Sequence, residues 1–143
     1  MKILVSACLL GENVKYNGGN NYHEKLSEML KGHEVIPVCP EVMGGLPVPR
    51  KPAEIVNGIV RNEDGTTVDA EFRLGADRAA EIAERENIDI AVLKSRSPSC
   101  GAGTIYDGSF SHTQVPGDGI FAALLKEKGF RVIDETDLPE SFV

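Results

Sequence analysis

Cys8, Cys39 and Cys100 are the three cysteines of a 143-residue chain, and they are its best candidates for chemistry. A thiolate is a nucleophile and a soft-metal ligand, whereas a buried thiol is a small hydrophobe. Each lies just beyond an apolar run: Ile3-Leu4-Val5 precedes Cys8, Val35-Ile36-Pro37-Val38 precedes Cys39, and Ile88 to Leu93 precedes the loop with Cys100. If those runs are parallel strands, the loops after them share one carboxyl edge, where ligands bind in open α/β sheets. Thiols 31 and 61 residues apart in sequence can then meet in space.

The donor set leaves several chemistries open. A closed structural zinc site needs four ligands, so His23, His33, His112 or a carboxylate such as Glu41 would have to complete it. No short paired cysteine spacing of the zinc-ribbon kind is present. Iron–sulfur clusters are held by thiolates, ordinarily four. Three thiolates would leave one iron with an open position, as a catalytic metal has. Three buried structural thiols are the plainer alternative. A non-catalytic iron–sulfur or metal-binding module for storage or sensing is a further alternative, while a metal-free thiol enzyme needs a base beside the thiol, and no motif puts a histidine there.

The elements that must position these residues are readable from periodicity. Tyr22 to Lys31 carries Leu26, Met29 and Leu30 at helical spacing and stops at Gly32. Val35 to Val38 is the second strand, and Pro37 marks either an edge position or the strand's end. From Cys39 to Ala53, four prolines and two glycines predict a long shaped loop without regular structure. Glu54 to Val68 alternates around Asn57-Gly58 and Asp64-Gly65, both hairpin signals. Ala70 to Glu86 is the clearest helix, with Leu74, Ala79, Ile82 and Ala83 on its apolar face. Ser95 to Gly103 is a second special loop, and Thr104 to Val115 reads as a hairpin around Asp107-Gly108. Pro116 to Gly119 opens a last helix that runs to Lys128, and Phe130 to Ile133 is the last strand. Strands alternating with helices predict an α/β, three-layer Rossmann-like domain over 1–143, with a mostly parallel sheet and small hairpin insertions.

Bulk properties exclude several classes. With 15 Lys+Arg against 22 Asp+Glu the formal charge is −7, which opposes binding to a nucleic-acid polymer through its phosphates. No apolar stretch reaches the ~20 residues of a membrane span. Val5-Ser6-Ala7-Cys8 has the small-residue look of a lipoprotein processing site, but only Met1 to Leu4 precede it, with no charged or apolar leader. The expected location is the cytoplasm, where thiols stay reduced and cysteine sets serve metals or catalysis.

Three ordered motifs carry a resemblance. Ser6-Ala7-Cys8-Leu9-Leu10-Gly11 with Tyr16-Asn17-Gly18, Cys39-Pro40-Glu41 with Gly44-Gly45-Leu46-Pro47 and Pro49-Arg50, and Leu93-Lys94 with Ser97-Pro98-Ser99-Cys100-Gly101 resemble the signatures of the thiouracil desulfidase family, long catalogued as a domain of unknown function. The Pro116-Gly117-Asp118-Gly119 turn fits as well, and the likeness spans the whole chain.

That resemblance implies a [4Fe-4S] cluster on Cys8, Cys39 and Cys100, its open iron taking the sulfur of a thiolated base such as 2-thiouracil. The implied reaction is non-redox, releasing sulfide and leaving uracil. Soft, sulfide-bonded iron suits a thiocarbonyl sulfur, and attack of water on the activated carbon needs a base within about 3 Å. Glu41, two residues past Cys39, is the expected base, with a turn-capping or Arg50-pairing role as its structural alternative. Ser97, with Ser99 second, is expected to orient substrate or relay a proton. Tyr16, Asn17, Gly44, Gly45 and Lys94 are the candidates for the substrate pocket, and Arg50 and Glu54 for a structural ion pair. Free N–H groups at Gly117-Asp118-Gly119 could hold an anion. The expected partners are a small thiolated base and a sulfide acceptor.

Overall fold

The computed structural model describes residues 1–142. Four strands form one wholly parallel sheet in the order β2-β1-β5-β8: β1 (Lys2–Ser6), β2 (Glu34–Val38), β5 (Ile90–Leu93) and β8 (Val132–Asp134). The remaining elements, in chain order, are α1 (Glu24–Met29), α2 (Pro40–Met43), β3 (Ala53–Val56), β4 (Ile59–Asn62), α3 (Asp69–Glu86), β6 (Thr104–Tyr106), β7 (Gln114–Pro116) and α4 (Ile120–Glu127). The predicted Rossmann-like layering is what forms, and Pro37 lies on edge strand β2 as its missing N–H requires.

Side-chain alternation along the strands divides the core. Leu4, Ala91 and Leu93 face Ala76, Ala79, Ala80 and Ala83 of α3 and Phe121, Ala122 and Leu125 of α4. Ile3, Val5, Ile90 and Val92 face the other way, onto Leu9, Leu26, Leu30 and Phe142. The helices α3 and α4 therefore make one outer layer, and α1 with the C-terminal segment makes the other. Among the described residues, no helix is long and apolar enough to cross a membrane.

Two local expectations are corrected, and a short turn is added to the elements foreseen. The stretch after Cys39 is not wholly irregular: Pro40 at the first helical position and Gly44 at the end bound the short helix α2. A 3₁₀ turn, Ala7–Leu10, follows β1 and ends at Gly11 in the left-handed region, φ +94°. Leu74 does not join the apolar face of α3 and is 43% exposed. The buried face consists of Phe72, which packs on Val60 and Val68, and of Gly75, Ala76, Ala79, Ala80 and Ala83, small residues where the neighbouring helices approach closely. A Cβ on Gly75 would fall within the Pro40 carbonyl, and one on Gly44 within the Glu71 carbonyl.

Candidate active site

At the carboxyl edge of the sheet lies a cavity of about 300 Å³, and Cys8, Cys39 and Cys100 all line it. Each arrives by a different local device. Cys8 sits in the 3₁₀ turn after β1, and its carbonyl accepts from the N–H groups of Gly11 (3.2 Å) and Asn21 (2.9 Å), folding the 11–21 loop back over it. Cys39 takes extended backbone at the N-terminal boundary of α2. Cys100 rides the loop after β5, whose carbonyls cap α4: Pro98 accepts from Ile120, and Ser99 from Phe121 and Ala122. Gly119 is required there, since a Cβ would overlap the Ser99 carbonyl.

A polar group near each thiol favours its ionised form: Asn21 at Cys8, the Val42 N–H at Cys39 and the Ser6 hydroxyl at Cys100. Burial nevertheless pushes all three thiols above their usual range, most strongly Cys100, because a thiolate there lacks water. Three cysteines lining one cavity, Cys100 buried and Cys8 and Cys39 half-buried, fit a cationic group whose charge would deprotonate them. No three His, Cys, Asp or Glu side chains among the described residues stand close enough to hold a single metal ion. A cluster of several iron and sulfide atoms spans a wider gap than one ion, so the donor set fits a cluster better than zinc.

Glu41, in the first turn of α2, also lines the cavity. It also makes the Arg50 pair given as its structural alternative. Arg50 Nε donates to Glu41 Oε1 at 3.3 Å, while its other nitrogens donate to the carbonyls of Pro47 (3.2 Å) and Val14 (2.8 Å). Among the described residues Glu41 Oε2 has no such partner. Burial raises the Glu41 carboxyl above its ordinary range, with the Arg50 charge and hydrogen bond acting against it. Arg50 does not pair with Glu54, whose Oε1 instead accepts from the N–H groups of Gly108 (2.9 Å) and Phe110 (3.2 Å).

The two serines separate cleanly. Ser97 lines the cavity, and its Oγ accepts from the N–H groups of Ser99 (3.1 Å) and Cys100 (3.0 Å). With both lone pairs engaged, its hydroxyl hydrogen is left to donate. Ser99 lies outside the lining, fully buried, its hydroxyl unpartnered.

Of the substrate-pocket candidates, Tyr16 and Lys94 line the cavity and three others do not. Asn17 Oδ1 accepts from the Gly19 N–H and shapes a turn. Gly44 serves the contact of α2 with α3, and Gly45 turns the chain at φ +95°. The Gly117 to Gly119 turn offers no anion site either, since Gly117 and Gly119 donate to the Gly103 and Gly101 carbonyls.

Lys94 is held in a network that the sequence does not announce. Its Nζ donates to Ser95 O and Oγ, both at 3.1 Å, and pairs with Glu135 Oε2 at 3.2 Å. Glu135 also accepts from the Ser95 N–H at 2.7 Å. Asn21, Glu135 and Tyr106 escape sequence reading, and His112 figures in it only as a candidate zinc ligand. Tyr106 and His112 line the cavity from the β6–β7 hairpin, their rings edge-on at 5.6 Å. An aromatic pair in a chain with 6% aromatic residues is the available signal.

Residues 3–137 match the family model described as 2-thiouracil desulfurase. The chain is 38% identical over 146 aligned positions to the uncharacterized protein YbbK of Bacillus subtilis (strain 168), covering 95% of this chain and 97% of that protein. It is also similar to a solved structure described as the [4Fe-4S]-dependent thiouracil desulfidase TudS. That likeness has a TM-score of 0.91 at 43% identity, covering 97% of this chain and 93% of that one.

Proposed function

The chain belongs to the 2-thiouracil desulfurase family, and from that premise we propose that it desulfurates a thiolated pyrimidine such as 2-thiouracil, as a single domain over 1–143. In this reading Cys8, Cys39 and Cys100 hold a [4Fe-4S] cluster, Glu41 is the base, Ser97 orients the substrate, and Tyr16 and Lys94 border it. The observation that carries the reading is one cavity shared by three thiols from three strand ends and a carboxylate with an uncommitted oxygen.

When bound, the cluster supplies a soft Lewis acid for the thiocarbonyl sulfur, making the carbon beside it more electrophilic. Glu41 Oε2 accepts a hydrogen bond from water and takes its proton as the oxygen attacks that carbon. Arg50 fixes the other carboxylate oxygen and favours the ionised form. The Ser97 hydroxyl donates to a polar atom of the base and so sets the ring's orientation. In the whole reaction the carbon exchanges sulfur for the oxygen of water, both water hydrogens end on sulfur, and no electrons enter or leave. The sulfide is released or passed to an acceptor. Reducing cytoplasm suits a site built of free thiols.

A metal-free thiol nucleophile needs a lowered pKa, and burial acts in the opposite sense at all three cysteines. Protein purified without oxygen is expected to be brown and to convert 2-thiouracil to uracil and sulfide. In Glu41→Gln the visible spectrum should persist while turnover falls about 10²–10⁴-fold, the usual share of a general base. Full turnover by a colourless sample, or by Glu41→Gln, would contradict the assignment.

A further inference from the structure

Three thiolates bring three negative charges into a cavity that also holds Glu41, and the leaving sulfur adds another. Arg50 is committed to Glu41 and to two carbonyls. Lys94 is placed differently. It lines the cavity beside Cys8, whereas its partner Glu135 is not part of the lining. Its Nζ donates to Ser95 O and Oγ and is ion-paired with Glu135, so what it chiefly offers the cavity is a positive charge. The side chains are 20% and 9% exposed, which leaves that charge poorly screened. The Lys94 N–H donates to Ser6 Oγ at 2.9 Å, which seats the residue beside the strand end that leads into Cys8.

We propose that Glu135 is a positioning residue that clamps the Lys94 ammonium against the Cys8 side of the cavity, where its charge offsets the thiolates and the anionic sulfur leaving the substrate. The proposal rests on the reading of the three cysteines as cluster ligands. Glu135 lies just beyond β8, so the clamp ties the C-terminal segment to the loop that carries Ser97 and Cys100.

Cluster potential follows the charge around the cluster, and this gives a readout independent of turnover. The midpoint potential of the anaerobically loaded protein is measured for wild type, Lys94→Met, Lys94→Arg and Glu135→Gln, with iron content determined on each sample. Loss of the ammonium should shift the midpoint negative, because less positive charge stabilises the reduced cluster. Loss of the carboxylate, with Lys94 retained on the Gln amide oxygen, should shift it positive. Lys94→Arg should stay near wild type. Opposite shifts distinguish a charge role from a structural one, which would lower iron content without separating the two midpoints. Equal midpoints, or shifts of the same sign, would overturn the proposal while leaving the cluster assignment intact. A wild type that binds no iron would overturn both.

Discussion

A buried carboxylate and its arginine set the chemistry at the scale of single residues. Arg50 and Glu41 side chains are 7% and 19% exposed, and removing one partner from such a pair strands the other charge away from water. Arg50→Met should therefore cost on the order of 3 kcal/mol of stability, read as a lower denaturation midpoint, together with lost turnover. Ser97→Ala removes the acceptor of two N–H groups that hold the Cys100 loop, at about 1 kcal/mol for each bond. Its effect should appear both in turnover and in iron retention, whereas Ser99→Ala should spare turnover because that side chain does not reach the cavity. Much of this is legible in the sequence. Cys8, Cys39 and Cys100 can be singled out because each follows an apolar run, whereas Glu41 and Ser97 are pointed to by the motifs that carry the family resemblance. Asn21 and Glu135 cannot, since their places come from hydrogen bonds across 13 and 40 residues of chain, from the Asn21 N–H to the Cys8 carbonyl and from the Ser95 N–H to Glu135. Gly44 shows the converse error: a glycine beside a functional motif reads as room for a ligand, yet the close neighbour is the backbone of α3.

Among the elements, α2 is the one that delivers both Cys39 and Glu41, and it is seated on α3 through Gly44 and Gly75. Gly75→Ala should push α2 away from the sheet edge, costing roughly 1–3 kcal/mol by overpacking and lowering iron content with it. Leu74→Gln, one residue earlier on α3, should change stability by no more than about 0.5 kcal/mol, as substitutions on exposed surface do. A pair of thermal melts and iron determinations checks both. Period alone places α3 correctly but misjudges its packed face, because the side that is buried is set by how near α2 and α4 approach. Small residues at Gly75, Ala76, Ala79, Ala80 and Ala83 permit that approach, and their low hydrophobicity makes them quieter than Leu74 in a pattern search.

For the whole molecule, most of the core lies away from the site, which it meets through Cys100 on one face and Cys8 on the other. Strand side chains pack on α3 and α4 at one face and on α1 and the C-terminal segment at the other, while the cysteines gather at the sheet edge. Removing the metal with a chelator under reducing conditions should leave far-UV circular dichroism unchanged and the melt cooperative, with a lower midpoint, since a ligand that binds only the folded state stabilises it. Loss of secondary structure on chelation would instead make the cluster part of the fold. The parallel order of the sheet explains why a cysteine's place after an apolar run is informative in the sequence, for it sends every crossover loop of this kind to one edge. The most direct test follows 2-thiouracil turnover across samples loaded anaerobically with graded amounts of iron and sulfide. The rate of uracil formation should rise in proportion to bound iron from an origin at zero. A rate independent of iron content would contradict a cluster-dependent desulfidase.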